Sequence, residues 1–238
     1  MILLKDPPLI FLKPRKVAGT SFEIALSKYA RDDSIITPIS PEDERTRKDL
    51  GFWSAQNYKF PFAEVAQYKK AMLRALYHRS LPEKYYNHIP AQLAKQRLGD
   101  EIWRNSFKIS IVRNPFDQLV SLYFWRNRGS RDKVPFASWL TQNPDFINFN
   151  RGQVHLRGEL AADFLIRYEA FEEDIQLLEK QFPQLSGLWQ TFSSISAKSG
   201  IRPEGSSPAS FFEGEPGLVE AVKFFNADII EKFNYQLV

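Results

Sequence analysis

A lysine, a glycine and two hydroxyl residues stand together near the start of the chain, in the segment KPRKVAGTS at 13–21. The short apolar run before it, 8–12, predicts a buried strand, and the pattern of 21–30 predicts a helix. Because N–H groups at the start of a helix favour anions, this arrangement predicts a phosphate-binding loop. We expect the loop to use a lysine over the anion, a glycine that lets the backbone turn and approach closely, and backbone and hydroxyl donors: Lys16, Ala18, Gly19, Thr20 and Ser21.

The order of residues in this loop differs from that of a Walker loop. In G-x-x-x-x-G-K-[ST] the lysine directly follows the glycine, whereas Lys16 precedes Gly19 by three positions. No apolar strand ending in an aspartate is evident as a Mg²⁺ partner. The loop therefore favours a phosphate whose charge is neutralised by lysine without a metal. The alternative is a plain strand, turn and helix in which Thr20 or Ser21 serves only as the N-cap.

A second candidate site for phosphate follows another predicted strand, 107–113. Arg113 ends that strand, and Ser121 lies eight residues later in a predicted helix, 116–128. A strand-end arginine and a helical serine could hold one phosphate from two sides, the arginine by a bidentate contact. A surface arginine and a packed serine are the alternative.

Together, KVAGTS and VRNPFDQLVSLYF resemble the paired signature of sulfotransferases that use 3′-phosphoadenosine 5′-phosphosulfate (PAPS), and the carbohydrate branch most closely. The segments HIPAQLAKQRLGDEIWRNSFK, ELAADFLIRYEAFEED and AKSGIRP extend the resemblance over most of the chain from about residue 8. It implies that the first motif binds the 5′-phosphosulfate and the second the 3′-phosphate, with PAP as product and no metal. It also implies that Lys16 stabilises the leaving phosphate, and it makes Lys198 and Arg202 candidate clamps over the nucleotide.

Transfer to a hydroxyl group also requires a proton acceptor, for which histidine is the usual residue. The chain has three histidines: His78, His88 and His155. His88 stands where members of the resembled family often carry a histidine, and is the preferred base. His78 is its main rival, and His155 is expected to line the substrate site or to be structural. A carboxylate base stays open.

The segment after the second motif is rich in arginine and aromatic residues. Residues 67–158 hold 16 Lys and Arg against 6 Asp and Glu, which suggests an anionic ligand. Arg126 and Arg128 could contact an anionic acceptor such as an acidic glycan, although solubility explains such charges nearly as well. Trp125, Trp139 and Phe149 could stack on sugar rings, but core packing is the commoner role of such residues.

Bulk composition limits the class of protein. The chain has 238 residues, 43% of them hydrophobic, and no cysteine, which predicts one domain over 1–238 and excludes disulfides. The segment MILLKDPPLIF predicts neither a signal peptide nor a membrane span, so we expect a soluble, cytoplasmic enzyme. Two other functions stay open: a divergent Mg²⁺-dependent phosphotransferase, and a non-catalytic polyanion-binding module. No nucleic-acid-binding signature is present, and no nucleic acid partner is expected.

Predicted strands alternate with predicted helices along the chain. A third strand is expected at 162–169, and a long loop at 193–217. Such alternation predicts an α/β fold with its ligand at the carboxyl ends of parallel strands. With the resemblance, it predicts a P-loop-like three-layer fold with a central, mainly parallel sheet. Further helices are predicted at 63–77, 90–103, 136–141, 171–182 and 217–233, and 41–53 is expected to be a polar loop or a short helix.

Overall fold

The structure, a computed structural model, describes residues 1–67, 69–130, 134–195 and 207–238. Within these residues, five strands form one sheet and two further short strands form a hairpin. The strands are β1 (Ile2–Lys5), β2 (Pro8–Leu12), β3 (Ile35–Ile36), β4 (Phe107–Val112), β5 (His155–Leu156), β6 (Glu159–Leu160) and β7 (Phe164–Arg167). β5 and β6 pair with each other to form the hairpin.

The sheet is mainly parallel, as predicted. Its strand order is β3-β1-β2-β4-β7. The central strands β2, β4 and β7 are parallel, with Leu9 opposite Phe107 and Ile109 opposite Phe164. β1 is antiparallel to both β2 and β3, so β3 runs in the direction of the central strands. The strands predicted at 8–12, 107–113 and 162–169 are confirmed. β1 was not predicted, because four residues that end in a lysine carry too little pattern.

Helices cover the sheet and extend beyond it. Their bounds are α1 (Gly19–Ser27), α2 (Pro41–Asp49), α3 (Phe62–Ala66), α4 (Lys69–Tyr77), α5 (Ala91–Leu98), α6 (Asp100–Asn105), α7 (Pro115–Arg126), α8 (Phe136–Gln142), α9 (Arg151–Val154), α10 (Phe171–Gln181), α11 (Leu188–Ser194), α12 (Pro208–Phe211), α13 (Pro216–Phe225) and α14 (Ala227–Phe233). No helix in the described part of the chain is long and apolar enough to span a membrane.

The alternation of side chains along β2 accounts for the three layers. Phe11 packs on one face of the sheet against Phe22 of α1, with ring centroids 4.9 Å apart. Ile10 and Leu12 point to the other face, where they join a buried cluster with Trp103 and residues of α5. Because side chains along a strand alternate between faces, one apolar run can bury both sides of the sheet. The three-layer arrangement is therefore confirmed.

Three predicted helices are each divided in two. The helix predicted at 90–103 breaks between α5 and α6 at Gly99, whose φ of 85° is outside the helical range. The helix predicted at 217–233 breaks between α13 and α14 at Asn226, whose side chain donates to the carbonyl of Val222 at 3.0 Å. The helix predicted at 63–77 appears as α3 and α4. Hydrophobic spacing continues across such breaks, so it does not reveal them.

The segment 41–53 forms a helix at its start rather than only a loop. α2 begins after Ser40, whose hydroxyl accepts from the Asp43 N–H at 3.3 Å. Helix α11 was not predicted at all. Part of the long loop expected at 193–217 is helical, as α12 and the start of α13, and 196–206 lie outside the described residues.

The carboxyl ends of the three parallel strands meet at one edge of the sheet. Lys13 follows β2, Arg113 follows β4 and Tyr168 follows β7. The guanidinium carbon of Arg113 lies 4.0 Å from the centroid of the Tyr168 ring. In α/β sheets this edge is the usual place for ligands, and it is where the candidate site lies.

Candidate functional site

The loop between β2 and α1 turns on two residues that are not glycine. Lys16 has a φ of 63° and Ala18 a φ of 54°, both in the left-handed region. Ala18 is the N-cap of α1, and no side chain caps the helix. The prediction that Thr20 or Ser21 is the N-cap is therefore wrong, and so is the prediction that Gly19 makes the turn. Thr20 and Ser21 lie after the N-cap position, in the first helical turn.

Gly19 is required for close packing instead. A Cβ atom at this position would lie 3.2 Å from Cγ of Lys13 and 3.4 Å from the carbonyl oxygen of Pro14. The first bond of the helix runs from the Phe22 N–H to the Ala18 carbonyl at 3.2 Å. The N–H groups of the three preceding residues, Gly19 to Ser21, thus have no partner within the helix. They form the start of a nine-residue helix that can receive an anion.

Two side chains hold the loop at Arg15. Asn150 accepts from the Arg15 N–H at 2.8 Å and donates to the Arg15 carbonyl at 2.9 Å. Gln118 of α7 donates to the same carbonyl at 2.9 Å. Asn150 thus binds Arg15 as a peptide group of a neighbouring strand would. Sequence analysis missed both residues, since a single amide side chain far along the chain carries no recognisable pattern.

Arg113 connects the two predicted phosphate sites. Its Nη1 donates to the Lys16 carbonyl at 3.0 Å. Its Nε and Nη2 lie 2.6 and 2.5 Å from the carboxylate of Asp117, one turn along α7. The guanidinium is therefore held in one orientation by the loop, by α7 and by the Tyr168 ring. The structure thus brings Arg113 next to the backbone of Lys16.

Ser121 lies on the face of α7 that is turned to this loop. Positions three and four apart share one face of a helix, so Ser121 shares its face with Asp117, Gln118 and Trp125. Asp117 binds Arg113, Gln118 binds the loop, and Trp125 lies under Nζ of Lys16, 5.6 Å from the ring centroid. Ser121 is half-buried among these contacts. Its predicted position near Arg113 is consistent with the fold.

Three cationic side chains lie near the Trp125 ring. Besides Lys16, the guanidinium carbons of Arg126 and Arg128 lie 5.5 and 4.8 Å from its centroid. Cations over an indole face are attracted by the ring quadrupole. The two arginines predicted to meet an anionic acceptor are therefore next to the lysine predicted to meet the sulfonate donor. These cations lie near the Trp125 ring, whereas the sequence suggested that the ring could be free to stack on a sugar.

His88 is bound to the strand end that precedes the loop. Its Nδ1 lies 3.1 Å from the Lys13 carbonyl, so Nδ1 carries the proton and Nε2 is the atom that can accept one. Its own carbonyl accepts from Gln153 at 3.1 Å. Burial, with the nearby charge of Lys13, lowers the pKa of His88 to about 3. The preferred base is thus a neutral imidazole held against the loop.

A buried ion pair joins Lys13, which follows β2, to Glu23 of α1. Nζ of Lys13 lies 2.6 Å from Oε2 of Glu23, and both side chains are at most 1% exposed. Burial alone would raise the pKa of Glu23, but the positive charges of Lys13, the Met1 amine and Arg47 outweigh it and lower the pKa to about 2. Sequence analysis did not single out this pair. A glutamate among the apolar residues of α1 was the available signal.

The other predicted site residues lie away from this loop or outside the described residues. His78 is exposed just after α4, and its ring contacts Tyr77 with centroids 5.0 Å apart. His155 begins β5 and its Nε2 contacts a carboxylate oxygen of Asp228. Lys198 and Arg202 lie in 196–206, outside the described residues. Six predicted residues lie in or near the loop between β2 and α1: Lys16, His88, Arg113, Ser121, Arg126 and Arg128.

Comparisons of the chain with protein-family models, with curated proteins and with solved structures found no match.

Proposed function

We propose that the protein transfers a sulfonate group from PAPS to a hydroxyl group of a carbohydrate or of a small hydroxylated metabolite. One observation carries the proposal: the Arg113 side chain donates to the Lys16 carbonyl at 3.0 Å. The two elements that resemble the sulfotransferase signature therefore meet at the carboxyl edge of the parallel strands. A bisphosphate nucleotide needs two anion-binding places in one site, and the start of α1 and the Arg113 side chain are proposed to supply them.

In this proposal the 5′-phosphosulfate lies over the start of α1. The N–H groups of Ala18 to Ser21, the hydroxyl groups of Thr20 and Ser21, and the Lys16 ammonium group surround it. The 3′-phosphate binds between Arg113 and Ser121 of α7, with Asp117 holding the guanidinium in place. Lys198 and Arg202 are assigned to the nucleotide by the resemblance alone.

The chemical step is an in-line displacement at sulfur. A bond forms between the acceptor oxygen and sulfur while the bond from sulfur to the 5′-phosphate oxygen breaks, and PAP leaves. Negative charge grows on that phosphate oxygen, where Lys16 and the loop N–H groups would stabilise it. The acceptor proton passes to Nε2 of His88.

The low pKa of His88 describes the protein without ligand. Burial and the charge of Lys13 disfavour the imidazolium form, and Arg15 adds a smaller contribution. A bound bisphosphate would bring negative charge beside these cations and so oppose their share of the lowered pKa of His88, whereas the burial that chiefly lowers it would remain.

The direct test is transfer of ³⁵S from labelled PAPS to a panel of hexoses, polyols and phenols in EDTA. Lys16→Ala should lower the rate by about 10²- to 10³-fold, as expected for loss of a group that stabilises transition-state charge. Lys180→Ala, an exposed lysine in the last turn of α10, is the matched control. Transfer that is equal in both variants would contradict the assigned role of Lys16, and no transfer to any acceptor would contradict the activity.

One observation favours a second candidate, a polyanion-binding module. Three cations surround Trp125, and such a cluster can bind a sulfated or phosphorylated polymer without chemistry. This function predicts binding that falls steeply with salt and that does not compete with PAP. A Mg²⁺-dependent phosphotransferase would instead prefer ATP with Mg²⁺.

A further inference from the structure

The turn between β4 and α7 is contacted by a segment to which the proposed function assigns no role. This segment, 234–238, follows α14. Its half-buried Tyr235 packs against a cluster that contains Val112, the last residue of β4. Leu237, two positions later, packs against a second cluster, which contains Phe116 of α7. The segment therefore packs against clusters that include residues from both sides of the turn.

Asn114, the residue after Arg113 in this turn, is bound through both its backbone and its side chain. Its N–H donates to Oε1 of Glu169 at 2.7 Å. Its Nδ2 donates to the Gln236 carbonyl at 2.7 Å, and its Oδ1 accepts from the Phe116 N–H at 3.1 Å. Asn114 is buried, so a lost partner at its N–H would leave a costly unsatisfied donor. The backbone that carries Arg113 is thus held by Glu169 and by the segment 234–238.

Glu169 joins the turn to Tyr235. Its second oxygen, Oε2, accepts from the Tyr235 hydroxyl group at 2.7 Å. Burial, and then the hydrogen bond and the negative charge of Glu169, raise the pKa of Tyr235, so the phenol keeps the proton that it donates. One oxygen of the carboxylate therefore binds a backbone N–H and the other binds a phenol. Hydrogen bonds to an ionised acceptor are roughly twice as strong as neutral ones.

Tyr168, the residue before Glu169, contacts the Arg113 side chain. The guanidinium carbon lies 4.0 Å from the centroid of its ring. Tyr168 and Glu169 belong to one short 3₁₀ turn, Tyr168–Ala170, directly after β7. Two consecutive residues thus contact the Arg113 side chain and the Asn114 backbone. Holding Glu169 in place therefore also holds the ring against which the guanidinium lies.

We infer that Glu169 and Tyr235 are positioning residues for the 3′-phosphate of the nucleotide. They act through the Asn114 backbone and keep the Arg113 guanidinium where it can meet that phosphate. The inference rests on the proposed function, because the 3′-phosphate is the ligand group assigned to Arg113. Neither positioning residue is assigned a contact with the nucleotide. Their loss should therefore weaken binding of the 3′-phosphate and leave the 5′-phosphate at the start of α1 bound as before.

The test is calorimetric titration of variants with PAP and with adenosine 5′-phosphate, which lacks the 3′-phosphate. Glu169→Ala should weaken PAP binding about five- to twentyfold and adenosine 5′-phosphate binding by less than about twofold. Glu169→Gln removes the charge but keeps an oxygen for the Asn114 N–H, so it should retain most of the PAP affinity. Tyr235→Phe should act in the same direction as Glu169→Ala but less strongly, since it removes only the phenol hydroxyl group.

Two matched controls remove equivalent hydrogen bonds elsewhere. Oε1 of Glu179, in the last turn of α10, also accepts from a backbone N–H at 2.7 Å, that of Trp189. The Tyr29 hydroxyl group donates to the Ser186 carbonyl at 2.9 Å. Glu179→Ala and Tyr29→Phe should leave the preference for PAP unchanged. The pair Tyr235→Phe and Tyr29→Phe keeps the inference testable if Glu169→Ala does not fold.

A second readout needs no nucleotide. Exchange of the Asn114 amide hydrogen should be at least about tenfold faster in Glu169→Ala than in the wild type, and near the wild-type rate in Glu169→Gln. Faster exchange with an unchanged preference for PAP would give Glu169 a structural role only and would overturn the inference. Equal weakening of both nucleotides in Glu169→Ala would overturn it as well.

The wild-type titration separates failure of this inference from failure of the proposed function. A wild type that prefers PAP, beside Glu169→Ala and Tyr235→Phe variants that keep the same preference, would overturn the positioning role alone. A wild type that binds PAP no more tightly than adenosine 5′-phosphate would contradict the proposed function, and the inference with it.

Discussion

Nη1 of Arg113 donates to the backbone carbonyl of Lys16 at 3.0 Å, across 97 positions of the chain. This bond joins the end of β4 to the loop that precedes α1. The same guanidinium is fixed by Asp117 and lies over Tyr168. Two elements that are distant in sequence, and that we propose to bind the two phosphate groups of one ligand, are thereby held together.

Arg113→Lys should weaken PAP binding about ten- to a hundredfold, because lysine keeps the charge but cannot supply the fork of N–H donors. Ser121→Ala should have a smaller effect in the same direction, since it removes one hydroxyl group. Calorimetric titration with PAP and with adenosine 5′-phosphate measures both. If Arg113→Lys weakened the two nucleotides equally, the 3′-phosphate would not be bound there.

Gly19→Ala should lower the free energy of unfolding by about 1–3 kcal/mol, because the added methyl group crowds Lys13 at 3.2 Å. Ala18→Gly is the matched change at the neighbouring position. It should be neutral or stabilising by up to about 1 kcal/mol, since glycine adopts a φ of 54° without strain. Urea unfolding of both variants checks the pair. Equal effects at the two positions would contradict the loop geometry.

Glu23→Gln should destabilise the protein by about 3–5 kcal/mol, because it leaves the buried ammonium group of Lys13 without its counter-charge. The double variant Lys13→Met, Glu23→Leu removes this pair of charges but leaves the buried Met1 amine, which lies 3.2 Å from Oε1 of Glu23, without its partner, so it should recover only part of the loss. Denaturant midpoints of the wild type and the two variants give the comparison. A double variant no more stable than Glu23→Gln would show that the unpaired charge of Lys13 is not what destabilises Glu23→Gln.

Stability should fall as pH decreases from about 6.5 toward 3. The pKa of His88 is lowered from 6.5 to about 3 in the folded protein, so between these values the unfolded chain binds the extra proton. The free energy of unfolding therefore rises with pH across this window, by up to about 1.4 kcal/mol per pH unit. Above the window, His88 no longer makes it depend on pH. Thermal unfolding of wild type and His88→Gln from pH 4 to 8 isolates this contribution. If the two proteins changed in parallel, His88 would not be the group responsible.

Asn150→Ala should destabilise the protein by about 1–3 kcal/mol and weaken PAP binding, because both hydrogen bonds to Arg15 are lost. Asn148→Ala, two positions earlier, is the matched control and should change neither property. Thermal unfolding with and without PAP measures both effects. Normal PAP affinity in Asn150→Ala would mean that the loop does not need this support.

The sequence predicted those parts of the site whose signal is local. The strand at 8–12, the helix after it and the strand-end position of Arg113 follow from hydrophobic spacing and from proline and glycine. Asn150, Gln118 and Gln153 act across the fold, and their amide side chains have no spacing that identifies them. The left-handed conformation of Ala18 and Lys16 also escaped prediction, since the glycine next to them was the expected residue. Tertiary contacts with Arg113 and Asn150 override that local preference.

The most direct test of the central claim is calorimetric titration of the wild-type protein with PAP in EDTA, beside adenosine 5′-phosphate in EDTA and ATP with Mg²⁺. We predict that PAP binds without metal, at least about tenfold more tightly than adenosine 5′-phosphate, because a charge-assisted contact to the 3′-phosphate contributes about 1.5–3 kcal/mol. Tighter binding of ATP with Mg²⁺, or no binding of PAP, would contradict a PAPS-dependent sulfotransferase.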